Sequence, residues 1–254
     1  MYEKIKTVRR FIRAEFLNVF CEYVFETGSH NGVRELLEVL MSIVAGFALP
    51  LKPEHRRFCV RALLPLYTTP NLHLYAEELS AVVMLFVEKD FTVGGAVIDC
   101  VSRHWPACSS TKQLLFVDQI ELVLAVTDDP DALGLDKRIF TRVFHKLKKS
   151  AAVPQFQVAS RVMNFCATHN VLASIEKCGM LPDFFAVMAA QVVSNATQHW
   201  NETVQSFAAQ TVEAFVELDA DLLQNVLDEE HLALLQQHLQ GLGSDDGEGD
   251  GHLQ

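Results

Sequence analysis

Apolar residues recur at steps of three and four along most of the chain, which is the spacing that places them on one face of an α-helix. One such stripe runs through residues 31–47 and another through residues 203–216. Alternation with a period of two never persists for more than a few residues, so no β-strand is predicted. The pattern therefore predicts an all-α fold.

The predicted helices come in pairs. The first members begin near residues 33, 74, 111, 154 and 201, and the second members begin near residues 53, 92, 136, 181 and 219. A two-helix unit that recurs about every 40–47 residues is typical of HEAT-like repeats. We therefore expect residues 1–240 to form a superhelical solenoid of about five HEAT-like helix pairs. A globular all-α bundle is the alternative.

Several helix boundaries have a physical marker. Pro53 suits a first helical turn, where the missing N–H has no partner inside the helix. Thr92 and Ser110 carry hydroxyl groups that can cap the helices beginning after them. The last residues, 241–254, are rich in glycine and acidic side chains and contain no Lys or Arg. This tail is predicted to be disordered, because it has too little apolar surface to offset the entropy of an ordered chain.

Composition and charge exclude several classes of protein. Half of the 254 residues are hydrophobic, which excludes a disordered chain, yet no apolar run is long enough for a membrane span. The net charge of −11 argues against a nucleic-acid partner, because phosphate binding needs a basic surface. The six cysteines show no CxxC spacing, and the basic start of the chain is no secretory signal. These features predict a reducing, cytoplasmic or nuclear location.

The sequence contains none of the catalytic or nucleotide-binding motifs that would indicate an enzyme. There is no P-loop, GxGxxG, GxSxG or HExxH segment, and the ten histidines are dispersed. We therefore expect no catalysis, no cofactor and no metal site.

A cluster of cations is the feature that points to binding. Basic residues occur on the first helix and again around the start of the third: Arg9, Arg10, Arg13, Lys52, His55, Arg56 and Arg57. Between the two groups lies the helix that carries Glu38, Val39 and Ile43, and in a solenoid consecutive first helices lie side by side so that their ends form a groove. Ordinary solvated charges are the alternative interpretation.

Three segments in this part of the chain carry a family resemblance. They are ETGSHNGVRELLEVL at residues 26–40, GFALPLKPEH at residues 46–55 and LLPL at residues 63–66. Together with shorter matches up to about residue 225, they resemble the B-prime regulatory subunit family of protein phosphatase 2A. The resemblance implies a superhelix of HEAT-like repeats and a non-catalytic subunit that docks on the phosphatase scaffold and catalytic subunits. It also implies a groove that takes LxxIxE peptides from substrate proteins.

The resemblance assigns seven residues to this groove. It implies that Tyr2 is the groove aromatic and Arg9 the groove arginine. It implies that Glu38, Val39 and Ile43 line the apolar pockets, and that the basic pair Lys52 and His55 faces the acidic end of the peptide. Val39 stands where the family usually has isoleucine. A free-standing α-solenoid interaction protein that no longer assembles with the phosphatase is the alternative function.

Overall fold

The computed structural model describes residues 6–28, 32–127 and 129–245. Over these residues the chain forms twelve α-helices and no β-strand. In chain order they are α1 (Lys6–Glu22), α2 (Val33–Ala45), α3 (Pro53–Phe58), α4 (Ala76–Lys89), α5 (Thr92–Arg103), α6 (Ser110–Leu124), α7 (Lys137–Ala151), α8 (Phe156–Ala167), α9 (His169–Lys177), α10 (Leu181–Gln198), α11 (Glu202–Val226) and α12 (Glu229–Asp245). The all-α prediction is confirmed.

The packing partners of each helix are close to it in sequence. In the first part of the chain α2 packs on α4, α4 on α6 and α5 on α6, and in the second part α8 and α10 both pack on α11. Contacts of this local kind are what a stack of helical repeats produces, because each repeat touches only its neighbours. The helical-repeat fold class is thereby supported by the contacts as well as by the helix order.

The chain divides into two compact units, the first ending at Ile139 and the second beginning at Phe140. Each unit has its own core. In the first unit the buried face of α2 is formed by Val33, Leu37, Leu40 and Val44, which recur at the helical spacing. This stripe packs against α4 and leaves the opposite side of α2 open.

One continuous helical segment links α3 to the core of the first unit. Pro53 lies in the first turn of α3, as predicted, and α3 passes into a π-helical turn at residues 59–63 and a 3₁₀ turn at residues 64–68. Cys59 and Leu63 are fully buried, and α1 packs against this π-helical turn. The start of α3 is thus held between α1 and the end of α2.

Two predicted N-caps are wrong by one or two residues. Helix α6 is capped by Ser109, not Ser110, and the Ser109 hydroxyl accepts from the amide of Lys112 at 3.3 Å. Thr92 is the first helical residue of α5, and the carboxylate of Asp90 accepts from the Thr92 amide at 3.2 Å and from its hydroxyl at 2.7 Å. In both cases a neighbouring oxygen is better placed to meet the free amides of the first turn.

In the second unit α10 and α11 form the centre. Phe185 stacks on Phe215 at 4.6 Å between ring centroids, and the Thr211 hydroxyl donates to the carbonyl oxygen of Met163 at 2.9 Å. Helix α11 breaks at Asp219, whose backbone is extended and whose carboxylate accepts from the amide of Leu222 at 2.8 Å. The helix start predicted near residue 219 coincides with this break.

The predicted boundary at residue 241 lies inside α12, which continues to Asp245. Residues 246–254 of the predicted acidic tail lie outside the described residues. The disorder of the tail therefore stays a prediction. Within the part of the chain that the structure describes, no helix has the length and apolar character needed to cross a membrane.

Candidate peptide-binding groove

The open side of α2 carries three of the predicted site residues. Val39 is 54% exposed, Ile43 is half-buried and Glu38 is exposed. Val39 and Ile43 are four residues apart, so their side chains lie one above the other along the helix. This pair offers an apolar strip that a peptide side chain could cover.

Glu38 belongs to a charge network that ties α2 to α4. The Nε atom of Arg34 lies 2.7 Å from Oε1 of Glu78 on α4 and 3.7 Å from Oε1 of Glu38. Glu78 is the most buried of the three side chains. Glu38 therefore lies beside this arginine on the exposed surface of α2 and remains accessible to a ligand.

Lys52 occupies the residue just before α3. Its backbone is extended, and its carbonyl oxygen accepts from the amides of His55 and Arg56 at 2.9 and 3.2 Å. Its side chain is exposed and makes no ion pair with any residue whose side chain the structure describes. Lys52 is thus a free cation at the mouth of the α2–α3 turn.

His55, one turn further on, is buried rather than presented to solvent. The residue is 7% exposed, and its ring stacks on Phe47 at 3.9 Å with an interplanar angle of 15°. Phe47 in turn meets Phe86 edge to face at 6.0 Å. The imidazole is therefore part of an aromatic column that closes the end of α2.

Arg13 of α1 fixes the protonation of His55. Nη1 of Arg13 lies 3.2 Å from Nε2 of His55, and Nη2 donates to Oε1 of Glu54 at 3.2 Å. A guanidinium can only donate, so Nε2 must accept and the proton must lie on Nδ1. Nδ1 is buried without a hydrogen-bond partner among the described residues. Both ring nitrogens are thereby withheld from a ligand.

The surroundings also keep the ring uncharged. Burial, followed by the positive charge of Arg13, lowers the pKa of His55, and the opposing effect of Glu54 is smaller. Lys52 lowers the pKa further. At neutral pH the positive charge of this corner therefore belongs to Arg13 and Lys52.

Arg13 of α1 thus lies beside His55 and Glu54 of α3. Arg13 was part of the predicted cation cluster but not of the predicted site. Phe47 was assigned to the apolar stripe of α2, although α2 ends at Ala45. The sequence around Phe47 does not indicate that it stacks on His55, because the two residues belong to separate elements.

The α2–α3 turn is held in place by a lysine of α4. Nζ of Lys89 donates to the carbonyl oxygens of Ala45 and Phe47 at 3.2 and 3.1 Å. A cation at the C-terminal end of a helix stabilises the free carbonyls and the helix dipole. The turn that carries Phe47 is therefore anchored to the core of the first unit.

Two predicted site residues cannot be placed. Tyr2 lies outside the described residues, and Arg9 lies in α1 but its side chain is outside what the structure describes. Their assignment to the groove stays a prediction. Among the described residues, no three His, Cys, Asp or Glu side chains come together as a metal site would require.

Comparison with known proteins matches nearly the whole chain to one family. The profile of the protein phosphatase 2A regulatory B subunit (B56 family) matches residues 1–239. Among curated proteins, the chain is 36% identical over 222 residues to the serine/threonine-protein phosphatase 2A regulatory subunit pptr-1 of Caenorhabditis elegans, covering 87% of this chain and 40% of the relative.

Two further relatives show a similar degree of identity. It is 32% over 241 residues with the 56 kDa regulatory subunit delta 2 isoform of Schizosaccharomyces pombe, covering 93% of this chain and 37% of the relative. It is 33% over 226 residues with the 56 kDa regulatory subunit alpha isoform of Homo sapiens, covering 89% of this chain and 45% of the relative. The chain thus spans less than half the length of each of these relatives.

Proposed function

The chain belongs to the B56 family of protein phosphatase 2A regulatory B subunits, and we propose that it is a non-catalytic subunit that recruits LxxIxE-containing substrate proteins to the phosphatase. The observation that carries the proposal is the open apolar pair Val39 and Ile43 on α2, with the free cation Lys52 at the adjoining turn. An apolar strip next to a positive charge matches a peptide with two apolar side chains followed by a glutamate.

In this proposal the leucine and isoleucine of the peptide lie against Val39 and Ile43. Burial of two such side chains stabilises the complex by about 3–6 kcal/mol in total. Ordering the peptide costs several kcal/mol of this gain. Micromolar affinity is therefore expected.

The glutamate of the peptide is held by Lys52 and by the groove arginine Arg9. His55 acts indirectly in this proposal, because its two ring nitrogens are occupied or buried and its pKa is lowered. By accepting a hydrogen bond from Arg13, it positions a guanidinium near the same corner. Phe47 keeps the ring in place from the other side.

We also propose that the chain assembles with the scaffold and catalytic subunits of the phosphatase in the cytoplasm or nucleus. The names of the relatives, all regulatory subunits of protein phosphatase 2A, support this assembly. The alternative is a free-standing helical-repeat protein that binds peptides without the phosphatase. Size-exclusion chromatography with purified scaffold and catalytic subunits distinguishes the two: co-elution is expected, and separate elution at micromolar concentration would favour the alternative.

The groove is tested by titrating a fluorescent LxxIxE peptide against the wild type and against Lys52→Glu. We expect the charge reversal to abolish measurable binding, because it replaces an attraction by a repulsion at the peptide carboxylate. Lys149→Glu is a matched control, since Lys149 is also exposed but lies on α7. Equal affinities of the wild type and Lys52→Glu would refute the assignment of the groove.

A further inference from the structure

Among the helices that the structure describes, α7 carries the most basic residues. From position 140 to the end of the sequence there are only six Lys and Arg residues, and four of them lie on this helix: Arg142, Lys146, Lys148 and Lys149. The helix also contains His145 and has no acidic residue. The second unit is otherwise rich in carboxylates, so its positive charge is concentrated on α7.

The last two turns of α7 present this charge to solvent. The apolar face of the helix is buried, and Phe144 meets Phe184 of α10 edge to face at 4.9 Å. Away from this face, four side chains are exposed or partly exposed: His145, Lys146, Lys148 and Lys149. None of the four forms an ion pair or a hydrogen bond with a residue that the structure describes. We call them the α7 basic cluster.

The charges of the cluster are not compensated within the helix. Lys146 and Lys149 are three residues apart, so their side chains are neighbours and their like charges repel. The helix dipole favours cations in the last turn, but its effect falls off beyond that turn. A ligand with several carboxylates would remove the repulsion and pair with more than one lysine at once.

A segment with this chemistry occurs in the chain itself. Four carboxylates fall within six residues: Asp245, Asp246, Glu248 and Asp250. No Lys or Arg follows Lys177, so the segment has no cation near it in the sequence. The part of the chain that the structure describes ends with α12 at Asp245. The question is then whether α12 ends close enough to α7.

The order of the helices places the end of α12 at the same end of the second unit as the cluster. Phe144 of α7 meets Phe184 near the start of α10, and the side-chain amide of Asn195 near its end donates to the carbonyl oxygen of Ala151 at 3.1 Å. The two helices therefore run in the same direction. Helix α11 packs back along α10 after a short turn, and α12 begins where α11 ends. Because α12 also packs on α10, it runs toward the end of α10 and of α7.

The separation is within reach of the acidic segment. Both α7 and α12 pack on α10, and the axes of packed helices are about 8–10 Å apart, so the axes of α7 and α12 are at most about 20 Å apart. An extended chain advances about 3.3 Å per residue, so the five residues 246–250 can span about 17 Å. The lysine side chains cover the remainder. The carboxylates can thus meet the cluster without any movement of α12.

We propose that the acidic segment 245–250 binds the α7 basic cluster of the same chain. The contact is a set of exposed ion pairs, each weak alone, and it forms because the segment is tethered nearby at a high effective concentration. It covers the main group of cations of the second unit, so an external anion reaches α7 only by displacing the segment. The proposal is independent of the peptide groove, whose described residues lie in the first unit.

Cleavage after Glu248 by a glutamate-specific protease tests whether the segment is bound. The full chain is digested together with a synthetic peptide of residues 241–254, which serves as the unbound standard, and both products are quantified by mass spectrometry. At low salt we expect the full chain to be cut about three- to tenfold more slowly than the peptide. In about 0.5 M salt the two rates should agree, because exposed ion pairs are screened.

Three substitutions on α7 remove the attraction without placing an acid at the end of the helix: Lys146→Gln, Lys148→Gln and Lys149→Gln. The segment of this triple variant should be cut as fast as the peptide. Arginine at the same three positions should keep the protection, because it keeps the charge. Asp246→Asn with Asp250→Asn weakens the contact from the other side, outside the packed helices, and should also lose most of the protection.

A matched control neutralises three exposed cations of the first unit, and it should leave the protection intact: Lys52→Gln, Arg57→Gln and Arg61→Gln. If the full chain and the peptide are cut at the same rate at low salt, the segment is not bound and the proposal is wrong. Protection that survives the triple variant on α7, or that disappears in the control, would place the segment on another surface. Protection that grows with protein concentration would assign it to a second copy of the chain. None of these results depends on binding of an LxxIxE peptide, so a failure here leaves the proposed function standing.

Discussion

Val39 offers the most direct test of the apolar part of the groove, because it can be changed without disturbing the fold. The side chain is 54% exposed and lies on the side of α2 opposite the buried stripe. Valine and serine have similar helix propensities. Because just under half of the side chain is covered in the folded protein, Val39→Ser should lower the free energy of unfolding by about 0.7–1.4 kcal/mol, which leaves the protein folded.

The expected loss of peptide affinity follows from the exposed fraction. Full burial of a valine side chain contributes about 1.5–3 kcal/mol. Because 54% of Val39 is exposed in the free protein, about half of this amount remains to be gained when a peptide covers it. Val39→Ser should then cost about 0.8–1.5 kcal/mol, or a rise in Kd of about four- to twelvefold.

Restoring the isoleucine that the family usually has at this position should act in the opposite direction. Val39→Ile adds one methylene, and a buried methylene contributes about 0.8 kcal/mol. The Kd should fall by up to about fourfold. The increase in affinity reaches this value only where the peptide has room for the added group.

The assay is fluorescence anisotropy with an LxxIxE peptide, combined with thermal unfolding of each variant. Leu122→Ser is the matched control, since Leu122 is 47% exposed on α6, away from the groove. The control should bind the peptide like the wild type. If Val39→Ser and Leu122→Ser have the same Kd as the wild type while all three proteins are folded, the peptide does not cover Val39.

Three further predictions concern stability and association. The free energy of unfolding should fall as the pH drops below about 6.5, because His55 binds a proton in the unfolded chain but, with its lowered pKa, stays neutral in the folded protein. Urea unfolding at a series of pH values should show a weaker pH dependence for His55→Phe. Gly95→Ala should lower the free energy of unfolding by about 1–3 kcal/mol in the same assay, since the added Cβ would lie 2.5 Å from the carbonyl oxygen of Leu133. Phe11 and Phe25 are 63% and 71% exposed, so sedimentation should show concentration-dependent association that decreases when both are changed to serine; a monomer at every concentration would contradict this.

Helix positions were predictable because they depend on local signals. The starts of α2, α3, α5 and α10 agree with the expected residues 33, 53, 92 and 181. An apolar stripe with a proline, glycine or capping residue before it contains the information needed for such a boundary. Helix α9 was not predicted, because its nine residues are too few to establish a period and no proline marks its first turn as Pro53 does in the shorter α3.

The surroundings of His55 were not predictable in the same way. In the sequence it stands among Lys52, Arg56 and Arg57 and has the character of an exposed basic residue. Its burial arises from Phe47 on one side and from Arg13, 42 residues away, on the other. The repeat architecture assigned basic residues of α1 and α3 to the surroundings of one groove, but only the packing shows which side chain is enclosed.

The burial of His55 and the exposure of Lys52 decide which of the two residues can be used to test the charge of the groove. A carboxylate introduced by His55→Glu would enter a buried position beside Arg13 and Phe47, where it loses its hydration and the aromatic stack. Lost peptide binding in that variant would report on the folding of the α2–α3 turn as much as on recognition. Lys52 is exposed, and only its backbone carbonyl is used by α3. Charge reversal at Lys52 therefore isolates the electrostatic contribution, and His55→Phe, which keeps the stack, should leave the affinity for the peptide within about threefold of the wild type. A complete loss of binding in a folded His55→Phe protein would show instead that the imidazole itself contacts the peptide.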